Sequence, residues 1–481
     1  MPRLSLPQWP WPKWLVVAGI LGLTIGLAIP FHRDVRNEFD AVYRHAASLI
    51  RAGEPLYEKQ PLYTYPPFMA WLIIPFTYLD RVPARIGWFL ANMGSLFAMV
   101  WLAWRMVFPR QSTGTPTPSV TAGAPAASIS DSDNKASNSA ATTAQLSNAG
   151  PWFDRTLWLI GAFGLFLGLR PGTNSVLHHQ TDLMMGACLF LGLWAIFRDW
   201  PYVGAICLGL AAAMKCTPAL FAFYFLLRGP RLAAATLLLV AVGANLLPQL
   251  TSPPPGGQVL LVSWFNSVVA HLLKPGIYPG QWNVDVLTNQ SFAGAVLCWM
   301  TSNWSWTSDG FKFWSTEPLL PPLVARLWVY AMGLSLLGTT LYLMRKRLKT
   351  GATDRLSRLA ELSSFLLIML LMSPMSHRTH FTTMLLPAFV VGLHFRETRS
   401  RPIAILIGIL LLLQVVSLRI ISINLAYFAS WHGTQMLSTL ALLFACWFVI
   451  EERITPSVKV ESKPAPAPLP TPAMPAITKA A

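Results

Sequence analysis

Thirteen apolar stretches divide the chain, near residues 14–30, 66–80, 85–108, 156–170, 183–197, 201–216, 217–228, 232–250, 321–344, 357–373, 379–395, 402–423 and 428–450, and charges collect mostly in the breaks between them. A core that excludes water by burial alone has no need of so many uninterrupted runs, so hydrocarbon must be the chain's main solvent. The composition agrees, with 54% hydrophobic and 12% charged residues. In hydrocarbon, backbone polar groups are satisfied within a helix or around a closed barrel, and the sequence shows no run of short alternating strands. The expected fold class is an all-α, polytopic integral membrane protein.

The formal net charge of +16 does not point to nucleic acid, because the basic residues collect in short breaks such as Arg345 to Lys349 and Arg396 to Arg401. By the positive-inside rule those breaks face the cytoplasm, which places residues 31–62 and 251–320 outside. The first apolar run lacks a small-residue cleavage site and reads as a retained helix with a cytoplasmic N-terminus. This bookkeeping closes from Arg155 onward but fails earlier unless one segment does not cross. The proline-flanked 66–80 segment is the expected exception, leaving about 12 transmembrane helices. Residues 111–150 are rich in Ser, Thr, Ala and Pro and read as a disordered insertion, and residues 454–481 as a disordered Pro/Ala-rich tail. Between and around them, residues 14–450 form the expected transmembrane catalytic domain. The five cysteines show no ligand spacing, so neither a structural disulfide nor a cysteine-bound metal is expected.

Four polar interruptions and one aromatic loop could carry chemistry. In "NEFDAVYRHAASLIRAGEPLY" the apolar positions Phe39, Val42, Ala46, Leu49 and Ile50 recur at helical spacing. They predict an interfacial helix, closed by Gly53 and followed by an extended segment re-entering at Pro66 and Pro67. Asp40 in its first turn either completes a capping box with Asn37 or serves as a general base at the lipid–water boundary, and the two roles are compatible. Asp34 and Glu38 are the nearby competitors. Lys215 ends an apolar run, where an ammonium either snorkels or meets an anion. In "LHHQTD", His178 and His179 point to opposite sides, which disfavours a two-histidine metal site and leaves a satisfied polar loop. In "SPMSHRTHF", His377, Arg378 and His380 form either an ordinary turn or a phosphate-holding group. The tryptophans between residues 251 and 320 fit an interfacial belt or, more sharply, a carbohydrate-stacking surface, with Asn289, Gln290 and Ser291 as polar fingers at the bundle mouth.

Taken in order, "FDAVYRHAASLIRAGEPLY", "YTYPPFMAWLIIPF", "HQTDLMM", "GLAAAMKCTPAL", "NQSFAG" and "SPMSHRTHFTTMLLP" resemble glycosyltransferase family 87. That family comprises GT-C membrane enzymes, among them polyprenol-phosphate-mannose-dependent mannosyltransferases. The resemblance implies a GT-C-like helical bundle. It also implies inverting transfer of a sugar, mannose or another hexose, from a polyprenyl-phosphate donor to a hydroxyl of a lipid or glycan acceptor on the outer face of the membrane. No cofactor is expected, and with the phosphate already bonded to the sugar a metal is unnecessary in principle. It assigns the catalytic carboxylate to Asp40, within a loosely kept pattern continued by Tyr43, Gly53, Leu56 and Tyr57. It places the family's lysine at Lys215, its Asn-Gln-Ser motif at Asn289, Gln290 and Ser291, and one histidine at His380; with Tyr43, Gln180, His377 and Arg378 these are the candidate substrate-binding residues. Two departures stand out: His179-Gln180 replaces Gly-Gln, and "SPMSHRTH" keeps only the second of two family histidines, as His380. The competing expectations are a transporter or flippase, which would need ionisable groups at mid-helix and repeated halves, and a non-catalytic assembly protein.

Overall fold

The structure is a computed structural model that describes residues 13–33, 38–108, 155–254, 257–281, 286–351 and 354–454. Over these residues the protein is helical apart from one hairpin. Four helices are long and apolar enough to cross a bilayer by themselves: Arg81–Val107, Arg231–Thr251, Pro322–Lys349 and Thr434–Ile454. The protein is thus a helical membrane protein. The 66–80 segment folds as a seven-residue helix, Pro67–Ile73, continued by a 3-10 turn, Ile74–Tyr78. At 1.5 Å per residue that is far short of a bilayer core of about 30 Å.

Three helical hairpins build the part of the bundle that matters most. Helix Arg155–Leu177 runs into a tight loop and returns as Asp182–Phe197. Helix Pro201–Met214 stops at Lys215, which is extended (φ −155°, ψ 117°), and the chain comes back through Thr217–Leu220 and Phe221–Arg228. Pro218, in the first turn of that return, cannot donate to the preceding turn, so the helix ends there. Helix Arg355–Met372 turns at residues 373–377 and returns through Arg378–Met384 and Leu385–Thr398. Three hairpin apices therefore meet.

The opposite, basic ends of these hairpins are tied by a buried cluster. Glu361, fully buried, accepts from Arg228 at 2.8 and 3.2 Å and pairs with Arg347 at 2.9 Å. Nearby, Arg358 pairs with Asp199 at 2.8 Å and bonds the Ile196 carbonyl.

Above the apices lies the predicted interfacial helix. Its start, Phe39–Arg44, is a π-helical turn, and His45–Ala52 continues it to Gly53 in the left-handed region (φ 70°). There Gly53 N–H donates to Ile50 O and Glu54 N–H to Leu49 O, satisfying the last carbonyls. Phe39, Tyr43, Ala46, Leu49 and Ile50 are its buried face, and Phe39 stacks on Trp88 at 4.7 Å. Asn37 lies outside the described residues.

The aromatic loop contains a feature beyond the expected belt. Ser302–Thr307 and Gly310–Ser315 form an antiparallel hairpin with a two-residue turn, Ser308–Asp309, and Gly310 at φ 108°. Trp304 and Phe311 pack against Phe428 of the Ile423–Trp431 helix. The signal was present: "SNWSWTSDGFKFWS" alternates polar and aromatic residues around a Ser-Asp-Gly turn.

Candidate functional site

The three apices bring one cationic nitrogen, one carboxylate and one imidazole into contact. Lys215 Nζ lies 3.2 Å from Asp182 Oδ1 and 2.5 Å from His380 Nε2. Asp182 holds its other oxygen on Thr379 Oγ1 at 2.7 Å. His377 N–H donates to His380 Nδ1 at 3.1 Å, and His380 Nε2 lies 3.2 Å from Asp182 Oδ1. A ring nitrogen that accepts carries no proton, so the His380 imidazole is held in its neutral form. Asp182 is 5% exposed. A buried ion pair returns little stability after desolvation, so such a cluster in a membrane bundle points to function.

A layer of phenols closes the cluster from above. The centroid of the Tyr65 ring lies 5.7 Å from Lys215 Nζ, Tyr43 Oη donates to Tyr65 Oη at 3.3 Å, and Tyr57 Oη donates to the Tyr65 carbonyl at 2.9 Å. Burial raises the Tyr43 phenol well above its ordinary value, with Tyr65, Glu38 and Asp182 adding to the shift in that order. The corner Tyr65-Pro66-Pro67 is pinned from both sides: Trp264 Nε1 donates to Thr64 O, and Phe68 N–H to Asn245 Oδ1.

Gln180 enters the same layer and donates to Glu38 Oε2 at 2.8 Å. Asp40, two residues later, goes elsewhere. Arg85 Nε and Arg81 Nε donate to Asp40 Oδ2 at 2.7 and 3.0 Å, and Arg44 lies 3.8 Å from Oδ1. Positions two apart in a helical turn leave on nearly opposite faces, so the turn presents one carboxylate to the Gln180 layer and the other to the arginines.

His179 shows why the loop departs from Gly-Gln. It adopts φ 57°, a conformation in which glycine is unstrained and a side chain costs about 1–2 kcal/mol. Its imidazole stacks on Phe31 at 3.8 Å and its carbonyl accepts from Trp88 Nε1 at 3.0 Å, contacts that offset the strain.

Asn289 and Gln290 are not fingers at a mouth. Both are 2% exposed. Asn289 Nδ2 donates to the carbonyls of Gly280 and Pro374, while Oδ1 accepts from the backbone N–H of Ser291 and Ser376. Gln290 Nε2 donates to Leu287 O and Ser430 O, and its backbone N–H to Ser376 O. Gly294 makes room for this, since a Cβ there would sit 2.4 Å from Asn289 Cγ. Arg378 joins the same region through the Ser430 hydroxyl. These residues clamp the 373–377 loop that carries the histidines.

Of the sequence candidates, the structure therefore gathers Lys215, His380, His377, Gln180 and Tyr43 about one centre. It places Asp40 among arginines and puts Asn289, Gln290 and Arg378 in the clamp. Asp182, Thr379, Tyr65 and Glu38 complete the centre and were not assigned to it from sequence. An acid in the first turn of the otherwise apolar Asp182–Phe197 helix was the available signal. An apolar groove of about 300 Å³ is lined by Thr217, Ala219, Leu220, Phe223, Met369, Met372 and Ser373, and its lining begins two residues after Lys215.

Comparison with known proteins found no match among curated proteins and none among solved structures. The family model of glycosyltransferase family 87 matches residues 63–374, which includes Gln180, Asp182, Lys215 and the Asn289-Gln290 clamp and stops short of Glu38, Asp40 and His380. That match covers well over half of the 481 residues, and the chain belongs to glycosyltransferase family 87.

Proposed function

We propose that this glycosyltransferase takes its sugar from a polyprenyl-phosphate donor and passes it, with inversion, to a hydroxyl of a lipid or glycan acceptor at the outer face of a bacterial cytoplasmic membrane. The observation that carries the reading is the groove. Its lining begins at Thr217, two residues from Lys215, and continues over Leu220, Phe223, Met369 and Met372, with Phe223 and Met372 partly exposed to the surroundings of the bundle. A hydrocarbon tail in that groove would bring its phosphate to the Lys215 ammonium, where a charge-assisted contact in low dielectric is strong. A nucleotide sugar offers nothing for such a groove to bind.

In the proposed reaction the acceptor oxygen attacks the anomeric carbon, the bond from that carbon to the donor phosphate oxygen breaks, and the phosphate departs carrying both bonding electrons. Lys215 stabilises the leaving phosphate, with His380 as a neutral hydrogen-bonding partner held by His377 N–H and Asp182. The acceptor proton goes to a carboxylate. Glu38 is the better candidate, because it faces the layer of Gln180, Tyr43 and Tyr65, whereas Asp40 is committed to Arg81 and Arg85. Tyr43 and Gln180 then hold Glu38 and the sugar in register. The phosphate is a good leaving group as it stands, so the mechanism needs no metal.

The test is transfer by the purified protein in proteoliposomes, with labelled polyprenyl-phosphate hexoses set against the matching nucleotide sugars. Turnover confined to the lipid-linked donors is the expected result. Direct use of a nucleotide sugar at comparable rate would overturn the proposal.

A further inference from the structure

Arg81 and Arg85 stand one turn apart at the start of the 27-residue Arg81–Val107 helix. Each spends only its Nε on Asp40. Among the described residues their terminal nitrogens carry no hydrogen bond, and none of those atoms is enclosed without a partner. Arg44 is the third cation around the same carboxylate and is bonded as well to the Leu79 carbonyl. Asp80, just before the helix, is exposed, and its carboxylate pairs with neither arginine. One carboxylate thus collects three guanidinium groups at a helix N-terminus, whose own dipole adds positive potential.

Two further features say what would meet that charge. The neighbouring column of the same helix, Val82, Ile86 and Leu90, is 57%, 54% and 59% exposed, and Tyr78 and Leu79 extend it at the top. Residues spaced by four form one ridge along a helix, so this ridge faces lipid and the two arginines stand beside its upper end. The distribution is also unusual: by the basic bias of the other breaks this is the outside end, where arginines are depleted. A free phosphate would use the cations and leave the ridge idle, whereas a phospholipid would use both.

We infer that Arg81 and Arg85 bind the phosphodiester headgroup of an anionic phospholipid whose acyl chains lie along Val82, Ile86 and Leu90. The site is separate from the Lys215 cluster. Trp88, which bonds the His179 loop, lies seven residues, or about 10 Å, further down the same helix. The lipid would hold the top of this helix, and through Asp40 the turn that carries Glu38, against the membrane surface. The inference does not depend on which sugar donor the enzyme uses.

The experiment titrates the full-length protein, purified in a neutral detergent, with phosphatidylglycerol, phosphatidylcholine, inorganic phosphate and polyprenyl phosphate. It follows the thermal midpoint and counts bound lipid by native mass spectrometry. Phosphatidylglycerol should bind and raise the midpoint where phosphatidylcholine and inorganic phosphate do not. Arg81→Gln should raise the half-saturating concentration roughly tenfold, the size of one charge-assisted contact, and Arg81→Lys should recover part of it. Arg81 has an exposed side chain, so its replacement leaves the fold intact, and Lys312→Gln in the exposed hairpin serves as the neutral control. The inference is overturned if Arg81→Gln titrates like the parent protein, if phosphatidylcholine or inorganic phosphate acts at the same concentration as phosphatidylglycerol, or if Arg81→Gln weakens the response to polyprenyl phosphate as much as the response to phosphatidylglycerol.

Discussion

Glu38 and Asp40 are separated by one residue, yet Glu38 accepts from Gln180 at 2.8 Å while Asp40 accepts from Arg85 at 2.7 Å. One turn of helix thus faces two different chemistries. The orientation of that turn is set on Trp88, through the stack with Phe39, and it fixes which carboxylate meets the Gln180 layer.

The first prediction separates the two acids. Glu38→Gln keeps the shape and a hydrogen-bonding group beside Gln180 but removes the base, so turnover should fall by about 100-fold or more with the thermal midpoint unchanged. Asp40→Asn should show the reverse emphasis. It leaves Arg81, Arg85 and Arg44 crowded without their shared anion, so stability falls while residual turnover exceeds that of Glu38→Gln. Paired rates and melting curves decide it, and the prediction fails if Asp40→Asn is the slower enzyme at full stability.

Lys215→Met should weaken donor binding by about 2 kcal/mol or more, the worth of a desolvated charge-assisted contact. It should also destabilise the protein, because Asp182 is left buried with its main cation gone. Adding Asp182→Asn removes that orphaned charge, so the double variant should regain stability without regaining donor affinity. Melting curves and donor KM values of the parent, single and double variants test this. Recovery of both together would mean that Lys215 matters only for folding.

For Asn289 the expected effect is structural. Asn289→Ala strips partners from two carbonyls and two N–H groups that join the 280, 291 and 374–376 segments, at a cost of about 3 kcal/mol. Donor KM of the folded fraction should stay near the parent value. A raised KM at unchanged stability would return Asn289 to a direct substrate role.

At His179 the usual order of glycine and alanine should invert. Both replacements lose the stack on Phe31, but only alanine keeps the left-handed strain, so His179→Gly should be the more stable by about 1 kcal/mol. Chemical or thermal denaturation of the two variants in the same detergent provides the comparison, and an alanine variant of equal or greater stability would refute it.

The sequence by itself determined the solvent and the kind of element. Apolar runs with most charges in their breaks allow little but helices in hydrocarbon, and Gly53, with no Cβ to clash at φ 70°, marks the end of the interfacial helix by its residue type alone. The short 66–80 segment announced a helix of limited length, Pro67–Ile73 with a 3-10 continuation, because its length is a property of the chain alone. Lys215 was legible for the same reason: an ammonium among apolar neighbours needs a partner wherever it falls.

The identity of that partner was decided only by tertiary structure. Asp182, Lys215 and His380 belong to three different hairpins, and their meeting depends on where each helix turns back, which follows from packing between helices far apart in sequence. Asn289 and Gln290 read as exposed polar fingers because a loop sequence does not record that backbone carbonyls from residues 280, 287, 374 and 430 will surround them. The different surroundings of Glu38 and Asp40 were hidden for a simpler physical reason: residues two apart in a helix leave on opposite faces, and only the docking of that helix fixes which face meets the Gln180 layer.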